Sequence, residues 1–215
     1  MKKMDMLQCL KKEKIVAVIR MEPKEAIAVI HKIIEGGVHF IEVTLTVPGA
    51  LEMISVLAKE YKNSDVVIGS GTVLDPVAAR LSILNGAEFV VAPSFNPEIA
   101  KMCNLYGKAY IPGIYTPNDI AQALEYGVDV LKLFPATDLP ASTVKTLKGP
   151  FPQADFLISG SMTAEKFDAW LKGGAFCVAV GGALTNYDKT EGIESIVNKA
   201  REFTAIAKKY DAKGR

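Results

Sequence analysis

Residues 88–135 read EFVVAPSFNPEIAKMCNLYGKAYIPGIYTPNDIAQALEYGVDVLKLFP, and the order of parts in this stretch decides the fold. A β-branched run, Glu88–Ala92, stops at Pro93. A helical stretch, Pro97–Tyr106, closes on Gly107. A second short run, Lys108–Ile111, stops at Pro112, and a second helical stretch, Pro117–Tyr126, closes on Gly127. A third run, Val128–Leu133, follows. Proline is tolerated in a first helical turn, where its missing N–H would be unpaired anyway, and glycine after the last turn accepts the left-handed conformation of a C-terminal cap.

The same alternation extends in both directions. Upstream strands are predicted at Lys14–Arg20, His39–Leu45 and Val66–Ser70, and downstream ones at Asp155–Ser159 and Phe176–Val180. Further helices are predicted at Pro23–Glu35, with an apolar stripe of Ala26, Ile27, Ile30, Ile33 and Ile34, and at Pro48–Tyr61, Pro76–Leu84 and Thr163–Lys172. Five helices open with proline, and Gly36–Gly37, Gly86 and Gly173–Gly174 supply further C-terminal stops. Strand–helix alternation implies parallel strands with right-handed crossovers. Eight units in 215 residues leave about 27 residues each, near the lower limit for a (β/α)8 TIM barrel. A doubly wound open sheet competes, but its glycine-rich first turn is missing: strand one ends in Arg20-Met21-Glu22-Pro23-Lys24.

Composition narrows the class. Lys plus Arg number 25 and Asp plus Glu 24, so the net charge of +1 lacks the positive field of a nucleic-acid or anionic-membrane binder. The three cysteines, Cys9, Cys103 and Cys177, are widely spaced, which disfavours a disulfide framework or a zinc knuckle. The start, MKKMDMLQCLKKEK, has no apolar core or cleavage site; it reads as a short amphipathic helix within a single α/β domain spanning 1–215. A reducing cytoplasm follows as the expected location. A C-terminal helix is expected over about Glu191–Tyr210, followed by a frayed polar tail from Asp211.

In a barrel, chemistry sits at the C-terminal ends of the strands. Side chains alternate along a strand, so Val130, Lys132 and Phe134 share one face, as do Phe40, Glu42 and Thr44. If those faces are interior, Lys132 and Glu42 are enclosed by apolar neighbours at considerable cost. They are a structural ion pair, or side chains that each snorkel out, or a Schiff-base amine with an acid/base carboxylate. Arg20 ends strand one in phase with Val16 and Val18, and could grip a carboxylate or simply be solvated. Thr44 and Thr72 offer hydroxyl donors at the same rim. Pro93 and Pro112 read as rim walls or as plain strand terminators. No His/Asp/Glu cluster suggests a metal site, and His31 and His39 are expected to be structural.

Together, Ile41-Glu42-Val43-Thr44-Leu45, Gly69-Ser70-Gly71-Thr72-Val73, Val91-Ala92-Pro93-Ser94, Ile111-Pro112-Gly113 and Leu131-Lys132-Leu133-Phe134-Pro135 resemble the 2-keto-3-deoxy-6-phosphogluconate (KDPG) and 4-hydroxy-2-oxoglutarate (KHG) aldolases. The resemblance runs from about Lys14 to Leu184. It implies a metal-free class I aldolase with no cofactor beyond a covalent imine, usually a homotrimer, acting on a small keto acid. By resemblance Lys132 carries the pyruvate imine and Glu42 is the acid/base. Arg20 and Thr72 fix the keto acid, with Thr44 expected as a further substrate-binding donor from its rim position, and Pro93 and Phe134 line the pocket. Many members carry Arg where this chain has Thr46; a second branch reads Thr-Val-Pro there, as Thr46-Val47-Pro48 does, with its Arg at the end of strand one. Phosphate would fall to Ser159, Gly160, Ser161, Gly181 and Gly182. The family's usual Thr-Gly-Gly and Gly-Ser are here Ser159-Gly160-Ser161 and Gly181-Gly182. An unphosphorylated or galactonate-epimer substrate, or a non-catalytic sugar-acid phosphate binder, are the alternatives.

Overall fold

The structure, a computed structural model, describes residues 1–187, 190 and 192–211. Nine parallel strands form one sheet in the order β5-β4-β3-β2-β1-β9-β8-β7-β6. They are β1 Ile15–Ile19, β2 Phe40–Thr44, β3 Val67–Gly71, β4 Phe89–Val91, β5 Ala109–Ile111, β6 Gly113–Ile114, β7 Val130–Leu133, β8 Asp155–Ser159 and β9 Cys177–Val180. The two ends of that order, β5 and β6, are separated only by Pro112, so the sheet closes on itself as a barrel of eight staves.

The predicted fifth strand stops at Ile111, whereas the structure continues it as β6. Proline has no N–H to give the ladder, which splits the stave. Its carbonyl still accepts from the Lys132 N–H at 2.8 Å and so carries the pairing across the break.

Ten helices are described: α1 Lys3–Glu13, α2 Pro23–Glu35, α3 Ala50–Glu60, α4 Pro76–Leu84, α5 Pro97–Leu105, α6 Pro117–Glu125, α7 Thr143–Lys148, α8 Ala164–Lys172, α9 Gly182–Thr185 and α10 Ser195–Asp211. Four of the five expected prolines open helices. Pro48 does not: Gly49, at φ +78°, intervenes as the cap of α3. In the Gly-Gly pairs that end α2 and α8 only the second residue is left-handed, Gly37 and Gly174. Sequence reading passes over α7, which is six residues long with one buried side chain, and α9, which opens on a helix-averse glycine. The C-terminal helix begins at Ser195, later than expected, and runs on to Asp211; Glu191 and residues 212–215 lie outside the described residues.

The barrel holds two cores. The outward strand faces pack against the helices through residues such as Ile41, Val43, Ile30 and Ile33. The inward faces form a second cluster with Val16, Phe40, Phe89, Val130 and Leu157, and the floor of that cluster is α1. Met6, Leu7 and Leu10 close the bottom of the barrel, each burial contributing about 1.5–3 kcal/mol. Ion pairs pin this plug to the strand starts: Lys3 to Asp129 at 2.7 Å and Glu13 to His39 at 2.9 Å. With the bottom filled, the open end is the C-terminal mouth.

Candidate active site

The alternation predicted for β7 and β2 holds. Val130 joins the inner core, and Lys132, one pleat higher, lies inside with its side chain 8% exposed. On β2, Phe40 joins the same core and Glu42 sits above it, 1% exposed. In the sheet order three staves separate β2 from β7 on either side, so the two residues reach toward each other from opposite walls. Lys132 Nζ lies 4.0 Å from Glu42 Oε1. That separation exceeds hydrogen-bond range, and neither carboxylate oxygen has another partner among the described residues. The Lys132 ammonium also lies 5.2 Å from the centroid of the Phe134 ring, close enough for a cation–π attraction.

A structural ion pair repays desolvation by short hydrogen bonds. Here two buried ionisable groups face each other without one, an arrangement more characteristic of a reactive site than of a structural one.

Arg20 stands at the end of β1, exposed, and its Nη2 donates to Thr72 Oγ1 at 3.3 Å. Thr72 follows β3 with φ +57°, a left-handed conformation that is an outlier for a β-branched residue. Such strain concentrates at functional sites. The cation and its hydroxyl partner thus stand together on the rim near the β1–β3 wall.

Thr44 departs from the expectation of a substrate-facing donor. It is fully buried, its hydroxyl donates to the Ile19 carbonyl at 3.0 Å, and the same oxygen lies 3.2 Å from Thr46 Oγ1. Its proton is spent on the backbone next to Arg20, so it supports that rim position and does not offer a free donor.

Pro93 and Phe134 line one cavity of about 260 Å³ with Ser94, Phe95, Gly113 and Tyr115. A Cβ at Gly113 would overlap the Pro93 carbonyl, so the two staves touch closely there.

The glycine–serine loops emerge from β8 and β9, which are neighbours in the sheet. Ser159 ends β8, half-buried, and its carbonyl accepts from Ala136 N–H at 2.9 Å. Gly160 packs against Thr137; a Cβ there would lie 2.8 Å from the Thr137 nitrogen. The Ser161 N–H donates to Thr137 Oγ1 at 3.2 Å, while Ser161 itself is exposed. Gly181 caps α9, whose first residue is Gly182. Thr137 went unread in the sequence, because only the folded loops bring it beside Ser161.

His39 and His31 both lie against carboxylates away from the mouth, Glu13 at 2.9 Å and Glu60 at 3.0 Å. The Glu13 carboxylate raises the His39 pKa. Burial pushes the Cys103 thiol up to about 12 and raises that of Cys177 as well, so neither supplies a thiolate nucleophile.

With this geometry in hand, residues 6–198 match the family described as "Aldolase: KDPG and KHG aldolase". The chain belongs to the KDPG and KHG aldolase family. Its curated relatives include a 2-dehydro-3-deoxy-phosphogluconate aldolase of Treponema pallidum, 34% identical over 72% of this chain and 74% of that protein. A 2-dehydro-3-deoxy-6-phosphogalactonate aldolase of Escherichia coli is 28% identical over 88% and 92%. Among solved structures, the 2-keto-3-deoxy-6-phosphogluconate aldolase of Zymomonas mobilis with 3-phosphoglycerate superposes with a TM-score of 0.82 at 26% identity, covering 94% of this chain and 96% of that one. The family activity is that of an aldolase, a carbon–carbon lyase. Among the described residues, no helix is long and apolar enough to cross a membrane.

Proposed function

We propose that this aldolase works by a class I mechanism and cleaves 2-keto-3-deoxy-6-phosphogluconate to pyruvate and glyceraldehyde 3-phosphate, with 4-hydroxy-2-oxoglutarate, giving pyruvate and glyoxylate, as a second substrate. The observation that carries the reading is the enclosed Lys132 amine held 4.0 Å from an otherwise unpartnered Glu42 carboxylate. The neutral amine attacks C2 of the keto acid, and water leaves as the carbinolamine collapses to a protonated imine. Glu42 supplies and removes the protons of this step. The C4 hydroxyl then gives its proton to Glu42 as the C3–C4 bond breaks, and the bonding pair moves into the iminium. Protonation of the resulting enamine and addition of water release pyruvate and the amine. The imine is the electron sink, so the reaction needs no dissociable cofactor or metal.

Arg20 and Thr72 hold the pyruvate carboxylate, a guanidinium being able to meet it in two parallel bonds. Thr44 keeps the end of β1 in place beneath Arg20, and Pro93 and Phe134 wall the chamber. The phosphate falls to the backbone of Gly160, Gly181 and Gly182 and the hydroxyls of Ser159 and Ser161, since the Ser161 amide is already engaged by Thr137. The galactonate epimer is the second reading, favoured by the Escherichia coli relative; the altered loops at Ser161 and Gly182 bear instead on whether the substrate carries the 6-phosphate. A non-catalytic binder would leave the Lys132–Glu42 apposition without a purpose.

The test is cleavage of both epimers, each with and without the 6-phosphate, by the wild type and by Lys132→Met. Turnover confined to the wild type and fastest on the phosphorylated gluconate supports the proposal. Cleavage by Lys132→Met sinks it, and a preference for the other epimer moves the assignment to the second reading. We further propose a homotrimer working in the cytoplasm. Light scattering on the eluting protein should read about three times 23.2 kDa.

A further inference from the structure

Glycine 71 and threonine 72 stand in the reverse of the order their backbone would favour. Threonine occupies the left-handed position, at φ +57°, whereas Gly71 ends β3 in ordinary strand conformation. A glycine inside a strand forfeits packing and adds chain entropy, which calls for a reason other than φ. The reason lies across the ladder. Gly71 pairs with Thr44, and Glu42 pairs with Gly69 one pleat below. A Cβ built on Gly71 would overlap Oε1 of Glu42 and come within 2.6 Å of its Cδ and Cγ. The Glu42 side chain is enclosed, 1% exposed, and no hydrogen bond fixes its carboxylate. What keeps the carboxylate facing Lys132 is therefore shape together with the charge contact at 4.0 Å, and one wall of that shape is the empty side-chain position of residue 71.

We infer that Gly71 is a positioning residue: its missing side chain is the cradle that holds the Glu42 carboxylate against Lys132. The catalytic consequence rests on the role proposed for Glu42, but the packing consequence does not. A methyl at 71 leaves two outcomes. Glu42 swings away from Lys132 and the fold survives, or Glu42 stays and the barrel strains. Ser70 cannot substitute for the lost wall, because its side chain alternates to the outer face of β3.

Two double-mutant cycles test this. In the first, melting temperature is measured for wild type, Gly71→Ala, Glu42→Ala and the double variant. Overpacking by one methyl should lower the melting temperature of Gly71→Ala by roughly 3–10 °C. The same methyl should cost little or nothing, or even stabilise, in the Glu42→Ala background, where the space is vacant. An equal loss in both backgrounds overturns the inference. If Gly71→Ala melts like the wild type, the second cycle decides. Gly71→Ala should lower kcat by about 10²-fold with KM little changed, as expected for a lost acid/base, and should lower it no further when combined with Glu42→Gln. Retained kcat, or losses that multiply in the Glu42→Gln background, would refute the cradle. A Glu42→Gln variant as fast as the wild type would instead refute the acid/base role while leaving the melting cycle to judge the cradle.

Discussion

Replacing Thr72 by glycine and, separately, by alanine separates two contributions that the wild type combines. The residue holds φ +57°, and left-handed backbone costs an L-residue with a Cβ about 1–2 kcal/mol. Glycine removes that strain but adds unfolded-state entropy of about 0.5–1 kcal/mol. The two nearly cancel, so Thr72→Gly should be as stable as the wild type or up to about 1 kcal/mol more stable. Alanine keeps the strain and loses the same hydroxyl, so it should fall below glycine by about 1 kcal/mol, a difference of about 2–4 °C for a chain of this length. Both variants remove the oxygen that accepts from Arg20 at 3.3 Å, so both should raise KM for the keto acid about tenfold with a smaller effect on kcat. Thermal melts followed by circular dichroism give the first comparison, and steady-state kinetics the second. An alanine variant more stable than the glycine variant by about 0.5–1 kcal/mol, the full entropy cost of glycine, would show that no strain is stored at 72. A KM unchanged in both would remove Thr72 from the carboxylate site.

Three further outcomes follow from the same geometry. Glu42→Gln keeps the shape and loses the proton acceptor, so kcat should fall about 10²–10⁴-fold; an unchanged rate returns Glu42 to a structural role. Thr44→Val is close in shape but removes the hydroxyl's hydrogen bond to the Ile19 carbonyl in a fully buried setting, which should cost about 0.5–1.5 kcal/mol. A loss below a few tenths of a kcal/mol, measured by denaturant titration, would contradict the bond at 3.0 Å. His39 has a raised pKa because Glu13 bonds it. The stability it contributes is therefore complete below the ordinary histidine pKa and is lost as pH rises through the raised one. His39→Gln should thus cost more stability at pH 5.5 than at pH 9, and an equal or reversed difference would show that the plug helix is held by other contacts.

The barrel was legible because each of its units repeats the same chemistry. The strand runs at 39–45 and 128–133, read by period-two alternation, placed Glu42 and Lys132 on interior faces, where the structure has them. The period says which face a residue takes but not what lies opposite, so the 4.0 Å approach across the barrel needed closure of the sheet. Pro112 hid half a stave, because a residue without an N–H looks like a terminus from sequence although its carbonyl still pairs. Thr44 shows the limit of reading hydroxyls as ligands: at a strand end they serve backbone as readily as substrate. Gly71 was invisible as a determinant for the same reason as the Thr137–Ser161 contact. Both depend on a neighbour brought close only by register or by loop packing.

The proposed mechanism stands on the imine at Lys132. Incubation with pyruvate followed by borohydride, then peptide mapping by mass spectrometry, tests it most directly. One reduced pyruvate adduct is expected, on the peptide containing Lys132, and none in Lys132→Met. Absence of an adduct, or its appearance on a different lysine, would contradict it.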